Sequence, residues 1–239
     1  MRLSEVARTD RPLSDQGARL AIAGADCLLR PSGALWVEAA RLLAVADLHL
    51  EKGSAFARRG QLLPPYDTGD TLRRLEREVE TLDPAVLIFL GDSFHDGGGE
   101  ARLAHEYAAR LVGLAQGRRL IWIVGNHDVE GPKRLPGESA DAHDLGGLLF
   151  RHLPAGAAMA WAAGHLHPCA RIVARGRAVR RRCFITDGAR IVLPAFGAYA
   201  GGLNVRDAAF ADLFVGMPTI VALGDERAHV VSWRSTTGD

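Results

Sequence analysis

The feature that most restricts the fold is a set of apolar runs that stop abruptly at residues no core would select. LLAVA (42–46) runs into Asp47-Leu48-His49, and AVLIFL (85–90) into Gly91-Asp92. LIWIV (120–124) runs into Gly125-Asn126-His127-Asp128, and MAWAA (159–163) into Gly164-His165-Leu166-His167. Unbroken apolar runs of this length read as strands buried on both faces. In such sheets, ligands gather at the carboxyl ends of the strands, so these polar groups are expected to converge. The two-residue period of a strand would set Asp47 and His49 on one side, and likewise His165 and His167. Gly91, Gly125 and Gly164 each directly precede a polar group and would let backbone approach a metal or anion closely.

The segments between the runs indicate what covers them. Residues 68–82 place Leu72, Leu75, Val79 and Leu82 at helical spacing with Arg and Glu between them, and Pro84 follows. Residues 101–117 read as a second amphipathic helix closed by Gly117. Strands alternating with helices predict an α/β sheet covered on both faces. From about residue 145 onward the pattern holds no long helix. LLFRHLP, MAWAAGHLHP, ARIVARG, RRRCFITDG, ARIVLPAFG and TIVALGD follow one another as strands. The expected architecture is therefore one two-layered α/β domain over residues 18–239, with a β-rich second half packed on the first. Residues 1–17 are polar and aperiodic and read as a loose tail.

Composition excludes several functions. The formal net charge of +1 is not that of a polycation drawn to nucleic acid by charge alone, although 24% of residues are charged. Cys27, Cys169 and Cys183 are too scattered for a disulfide framework or a thiolate metal site. No apolar run is long enough to span a membrane, and the N-terminus has no secretory h-region, so a cytoplasmic location is expected. Lys52 and Lys133 are the only lysines beside many arginines, and Arg suits bidentate contacts to phosphate.

The ordered set DLH, GD, GNHD and GHLH resembles the calcineurin-like metallophosphoesterase superfamily. That resemblance implies a double β-sandwich flanked by helices, and a centre for two divalent ions. One ion would be held by Asp47, His49, Asp92 and His167, and the other by Asp92, Asn126, His165 and one further histidine. His152, at the end of an apolar run upstream of GHLH, fits that last position better than His143 in a polar stretch. Two such ions activate a bridging water and neutralise both oxygens of an in-line phosphoryl displacement. Asp, Asn and His ligation without thiolate suits Mn²⁺, Fe²⁺ or Zn²⁺ more than Mg²⁺, and the resemblance favours Mn²⁺. His127, turned towards substrate by metal-bound Asn126, is the expected general acid, with Asp128 orienting it or raising its pKa. His95 and Asp96 lie just beyond Asp92 and are candidates for a supporting role. His105 and His229 read as surface residues.

Longer strings, DLHLEKGSAFARRGQLLPPYDTGDTL, GHLHP, RRRCF and VLPAFGAYAGGLNV, are similar to the bacterial ligase-associated DNA damage response endonuclease (PdeM) family over residues 20–217. This implies a manganese-dependent phosphodiesterase acting on DNA in repair, associated with an ATP-dependent DNA ligase, a helicase and an exonuclease. Arg58 and Arg59 after the first motif, and Arg181 and Arg182 within the basic run that begins at Arg175, are the candidate phosphate contacts. The glycines of AFGAYAGG could also bring backbone N–H groups to a phosphate. No DNA-reading module is apparent, so any cutting would be sequence-nonspecific. The alternatives are a phosphomonoesterase or small-nucleotide hydrolase with the same metals, and a non-catalytic scaffold.

Overall fold

The computed structural model describes residues 16–239 apart from Gly146 and Arg175. Most of the expected tail, and Arg175 of the basic run, lie outside the described residues. The first sheet holds seven strands in chain order: β1 (Ala18–Ile22), β2 (Ala25–Leu29), β3 (Leu35–Val37), β4 (Leu42–Ala46), β5 (Val86–Leu90), β6 (Arg119–Ile123) and β7 (Glu138–Ala140). The pairs from β1 to β4 are antiparallel, and those from β4 to β7 are parallel. Helices α1 (Lys52–Ala57) and α2 (Asp67–Leu82) form the crossover from β4 to β5, and α3 (Gly99–Arg102) and α4 (His105–Leu114) that from β5 to β6.

The second sheet is built from β8 (Ala142–Leu145), β9 (Leu148–Arg151), β10 (Trp161–Ala163), β11 (Cys169–Ala174), β12 (Arg177–Thr186), β13 (Arg190–Val192), β14 (Thr219–Leu223), β15 (Ala228–Val231) and β16 (Thr236–Thr237). Its main path runs β15-β14-β12-β13-β10-β9-β8, with β11 on β12 and β16 on β11. Among the described residues after 145, helix is confined to three-residue 3₁₀ turns.

Alternation along each central strand divides its side chains between two cores. Leu42, Ala44 and Ala46 of β4, with Ile88, Leu90, Ile121 and Ile123, face Phe150, Ala162, Phe184 and Leu193 of the second sheet. Leu43, Val45, Leu87, Phe89 and Trp122 face Leu72, Leu75 and Val79 of α2 and Leu111 and Leu114 of α4. This is why the runs are apolar at every position. The outer face of the second sheet packs Trp161, Cys183, Ile185 and Val192 against Val205 and Phe210. The result is the expected helix-flanked double sandwich.

One local expectation needs correction, and two segments take forms that the sequence pattern leaves open. The helix expected over 101–117 is broken, because Leu103 is extended (φ −57°, ψ 122°) and packs partly into the helix-side core. The apolar stretch around residues 18–29 is a hairpin, turned at Ala23 and Gly24, both at positive φ. The polar stretch 129–144, which gives no strand signal, contributes β7 and most of β8. Its loop is anchored by the Glu100 carboxylate, which accepts from the N–H groups of Lys133, Arg134 and Leu135.

Candidate metal centre

All four apolar runs end at one edge of the sandwich, but the strand period is not what aligns the polar side chains. β4 stops at Ala46, and Asp47 (φ 53°) and His49 (φ 44°) are both in the left-handed region. So are Asp92 (φ 43°), His165 (φ 70°) and His167 (φ 46°). Non-glycine residues rarely adopt this conformation, and its concentration here marks a site where the surrounding fold imposes geometry on the chain.

The three glycines beside the motifs are there because backbone and ligand nearly touch. A Cβ on Gly91 would lie 2.1 Å from His152 Nδ1, one on Gly125 2.2 Å from both Asp92 N and Oδ1, and one on Gly164 2.5 Å from Asp47 Oδ2. Any side chain at these positions would push a carboxylate or imidazole out of place.

Three groups of side chains result, one of histidines alone, His49, His95 and His127, and two built on a carboxylate. The ligand atoms of Asp47, His49 and His167 lie within 4.8 Å of one another, and those of Asp92, His152 and His165 do the same. Asn126 joins the second group, with Oδ1 2.9 Å from His152 Nε2. His152 is therefore placed in the cluster, whereas His143 sits on the edge strand β8 opposite Phe150. Each carboxylate has one oxygen held by a backbone donor. His165 N–H donates to Asp47 Oδ2 at 2.9 Å, and His127 N–H donates to Asp92 Oδ1 at 2.9 Å. The remaining oxygens face inward. Asp92 Oδ2 lies 3.5 Å from His152 Nε2 and 4.0 Å from His49 Nε2, so a single oxygen of Asp92, rather than its two, faces both groups. Asp47 Oδ1 lies 3.5 Å from His167 Nε2, is fully buried and has no hydrogen-bond partner among the described residues.

A buried carboxylate oxygen left without a donor is costly unless a cation completes its coordination. The electrostatics agree with that fit. Burial, reinforced by the neighbouring imidazoles and opposed by Asp47, pushes the His49 pKa down to about 3. Burial and His152 likewise lower that of His165. Both rings are thus held neutral, the form in which imidazole binds metal. At His167 burial pulls the pKa down, but the carboxylate of Asp47, 3.5 Å away, outweighs it and raises the value. A cation beside Asp47 would take over that compensation.

His127 is 40% exposed, with Nε2 4.0 Å from Asp92 Oδ2. Its Nδ1 lies 2.8 Å from the carbonyl oxygen of His95. The expected contact with Asp128 is not made. Asp128 turns inward, where its carboxylate accepts from Phe94 N–H and Gly125 N–H, both at 3.1 Å. Burial raises the Asp128 pKa to about 6 against those donors. Its place is to brace the loops that carry Asp92 and Asn126, and the orientation of His127 falls to a backbone carbonyl no sequence motif signals. Asp96 is taken up by Arg102 at 2.8 Å, whereas the His95 ring stands edge-on to His49. His105 and His229 are exposed, away from the cluster.

Of the arginines, Arg58 and Arg59 follow α1 and are exposed. Arg58 reaches the Gly98 loop, and Arg59 is close enough to His95 to depress its pKa, after burial and Lys52. Arg181 is exposed on β12. Arg182, on the opposite face of that strand, is turned away, with its guanidinium donating to Ala195 O at 2.8 Å. In AFGAYAGG the first amides are already spent. Phe196 N–H donates to Ala46 O, Gly197 N–H to Asp47 O and Ala198 N–H to Thr71 Oγ1, so they clamp the Asp47 loop instead of meeting phosphate.

The family model for calcineurin-like phosphoesterases matches residues 40–171, which contain all of these ligand positions. The chain belongs to the calcineurin-like phosphoesterase family. It is a metal-dependent phosphoesterase. The crystal structure of the Pseudomonas putida nuclease MPE is similar at 27% identity, covering 89% of this chain and 99% of that one, with a TM-score of 0.68. That likeness fits the resemblance to the ligase-associated endonucleases. More distant are the phosphoesterase Yfce of E. coli (17% identity, 80% and 98% coverage, TM-score 0.40) and a predicted phosphoesterase of Streptococcus pneumoniae TIGR4 (13%, 80% and 96%, 0.28). No curated protein sequence matches the chain significantly. Among the described residues, no helix is long and apolar enough to cross a membrane.

Proposed function

We propose that this protein is a manganese-dependent phosphodiesterase that cuts DNA without sequence preference. The observation that carries the reading is the arrangement around Asp92 Oδ2: two ligand groups face it, and His127 Nε2 stands 4.0 Å away on the open side. Asp47, His49, Asp92 and His167 would hold one divalent ion, and Asp92, Asn126, His152 and His165 the other. Bound there, the ions supply Lewis acidity to the phosphoryl oxygens and activate water.

The remaining chemistry belongs to the chain. The N–H groups of His165 and His127 fix the two carboxylates so that one oxygen of each is offered to the cleft. His127 donates Nδ1–H to the His95 carbonyl, which fixes the ring and leaves Nε2 as the position of the exchangeable proton. From there it protonates the departing oxygen, so that no alkoxide has to leave. Arg58, Arg59 and Arg181 offer phosphate contacts independent of base sequence.

The preference for a diester is supported by the likeness to a nuclease, and that for manganese by the oxygen and nitrogen donor set together with the family resemblance. The same resemblance supports a role in DNA repair beside an ATP-dependent DNA ligase, a helicase and an exonuclease, and hence a cytoplasmic location. The test is Mn²⁺-dependent hydrolysis of bis-p-nitrophenyl phosphate against p-nitrophenyl phosphate, with His127→Ala as control, followed by DNA. A diester preference lost in the variant is expected. A monoester preference would move the reading to a phosphomonoesterase or nucleotide hydrolase.

A further inference from the structure

A second polar cavity, of about 470 Å³, opens between α2, the β2–β3 turn, β12 and the β14–β15 turn. Its lining includes Arg30, Arg74, Arg77, Glu78 and Arg182. Arg30 and Glu78 form a buried ion pair at 2.7 Å, which accounts for the one buried acid. Asp225 and Glu226 stand exposed on the β14–β15 turn. Among the described residues, Arg74, Arg77 and Arg182 have no carboxylate within ion-pair distance. Arg74 lies over the Phe196 ring at 4.8 Å, and Arg182 is tethered to the carbonyl of Ala195.

Two largely buried guanidinium groups that line one cavity, neither within ion-pair distance of a carboxylate among the described residues, are an unbalanced arrangement. Burial and then Arg182 lower the Arg74 pKa to about 10 against the opposing charge of Asp70, and burial lowers that of Arg182. Tethering each cation by its ring stack or backbone bond keeps both aimed at one space, where an anion would relieve their repulsion and desolvation together. Planar guanidinium forks match the oxygens of phosphate.

We propose that Arg74 and Arg182 form a second phosphate-binding site, with Arg77 at its mouth, for a phosphate group of a nucleic-acid strand or a free nucleotide. The site shares a wall with the metal centre. Ala195 and Phe196 hold the two arginines on one side. On the other, Phe196 N–H donates to Ala46 O at 2.7 Å and Gly197 N–H to Asp47 O at 3.1 Å. A strand engaged at the metals thus has a second anchor around the side of the same edge. The DNA form of the proposal rests on the function proposed above; the phosphate site itself does not.

The test is calorimetric titration of the full-length, metal-loaded protein with inorganic phosphate. Arg74→Gln and Arg182→Gln are each expected to weaken one binding event about ten- to a hundredfold, the loss of a charge-assisted hydrogen bond. Asp92→Asn should leave that event in place, which separates it from phosphate bound at the metals. If Arg182→Gln does not fold, Arg74→Gln decides alone. Two further titrations identify the source of the phosphate. A labelled single-stranded oligonucleotide, bound in the His127→Ala background, should lose affinity with Arg74→Gln, and its log–log salt slope should fall by about 0.7 if a strand phosphate sits there. Loss of deoxyadenosine monophosphate binding with unchanged oligonucleotide affinity would assign the site to a free nucleotide. Superimposable phosphate isotherms for wild type and Arg74→Gln would overturn the proposal, whether or not the protein cuts DNA.

Discussion

Gly91→Ala should disable the metal centre through a single methyl group, and Gly24→Ala supplies its control. Both glycines sit at positive φ, +71° and +81°, so alanine at either incurs the left-handed penalty of about 1–2 kcal/mol. At Gly24 there is nothing within 4 Å of the new Cβ, and that penalty is the whole effect. At Gly91 the new Cβ would stand 2.1 Å from His152 Nδ1, 2.3 Å from its Cγ and 2.7 Å from its Cβ. The ring must retreat by more than 1 Å, and His152 is buried against Leu90 and Asn126 with nowhere to go without leaving its rotamer. That adds about 0.5–1.5 kcal/mol of rotamer strain. Gly91→Ala should therefore melt about 3–14 °C below wild type, the larger part shared with Gly24→Ala. The functional difference should be much larger. A ligand displaced by 1 Å costs about 10²-fold in turnover, and the ion proposed for Asp92, Asn126, His152 and His165 should fall below stoichiometry. Scanning calorimetry, metal analysis by mass spectrometry and bis-p-nitrophenyl phosphate turnover would be measured on both variants. If Gly91→Ala keeps two metals and full activity while Gly24→Ala loses as much stability, the close approach of backbone to His152 is not what the glycine is for.

Other substitutions probe separate parts of the argument. His127→Ala should retain both metals and lose about 10²–10⁴-fold in turnover, and loss of metal in this variant would refute its assignment as the proton donor. Chelation should abolish hydrolysis and lower the melting temperature, with Mn²⁺ restoring both, because a ligand that binds only the folded state stabilises it. Asp128→Ala should cost stability as well as activity, since Phe94 N–H and Gly125 N–H lose their acceptor; a variant as stable as wild type would argue against a bracing role. Asp187 reports on acid stability away from the site. Burial alone would raise its pKa, but the N–H groups of Val215, Arg190 and Ala189 and the Arg190 side chain outweigh it and hold the carboxyl below its ordinary 3.8. Its stabilising contribution is therefore complete above pH 3.8 and lost as pH falls through the lower folded value. Wild type should exceed Asp187→Asn in stability at pH 7, and the gap should close only in strong acid. A gap that closes on raising the pH would have the wrong sign.

The sheet interior and the candidate metal ligands are legible because both are written in residue type. A strand covered on both faces needs an apolar residue at every position, so β4, β5 and β6 stand out from the chain without any knowledge of their partners. Asp, Asn and His at the ends of such strands have few structural reasons to be there, and His152 could be singled out from His143 by the apolar run before it. Polar edge strands such as β7 and β8 carry no such mark, since a strand with one partner and a solvated face accepts almost any residue. The break between α3 and α4 was equally invisible, because it depends on where Leu103 finds a cavity rather than on a helix-breaking residue.

What the tertiary structure decided is how the site is oriented. The sequence suggested that strand periodicity aligns Asp47 with His49, but left-handed backbone at both residues does so, and that conformation is imposed by the packed loops around them. Adjacency in the sequence pairs Asp128 with His127. The fold instead sends Asp128 inward to two backbone amides and hands His127 to the carbonyl of His95, because a buried carboxylate needs donors more than an exposed imidazole needs a charge. Arg182 differs from Arg181 only by the alternation of β12, and that alternation turns one to solvent and the other into a separate cavity. Residue chemistry is local and can be read in one dimension; the partner each group finds depends on which backbone atoms the fold brings within 3 Å of it.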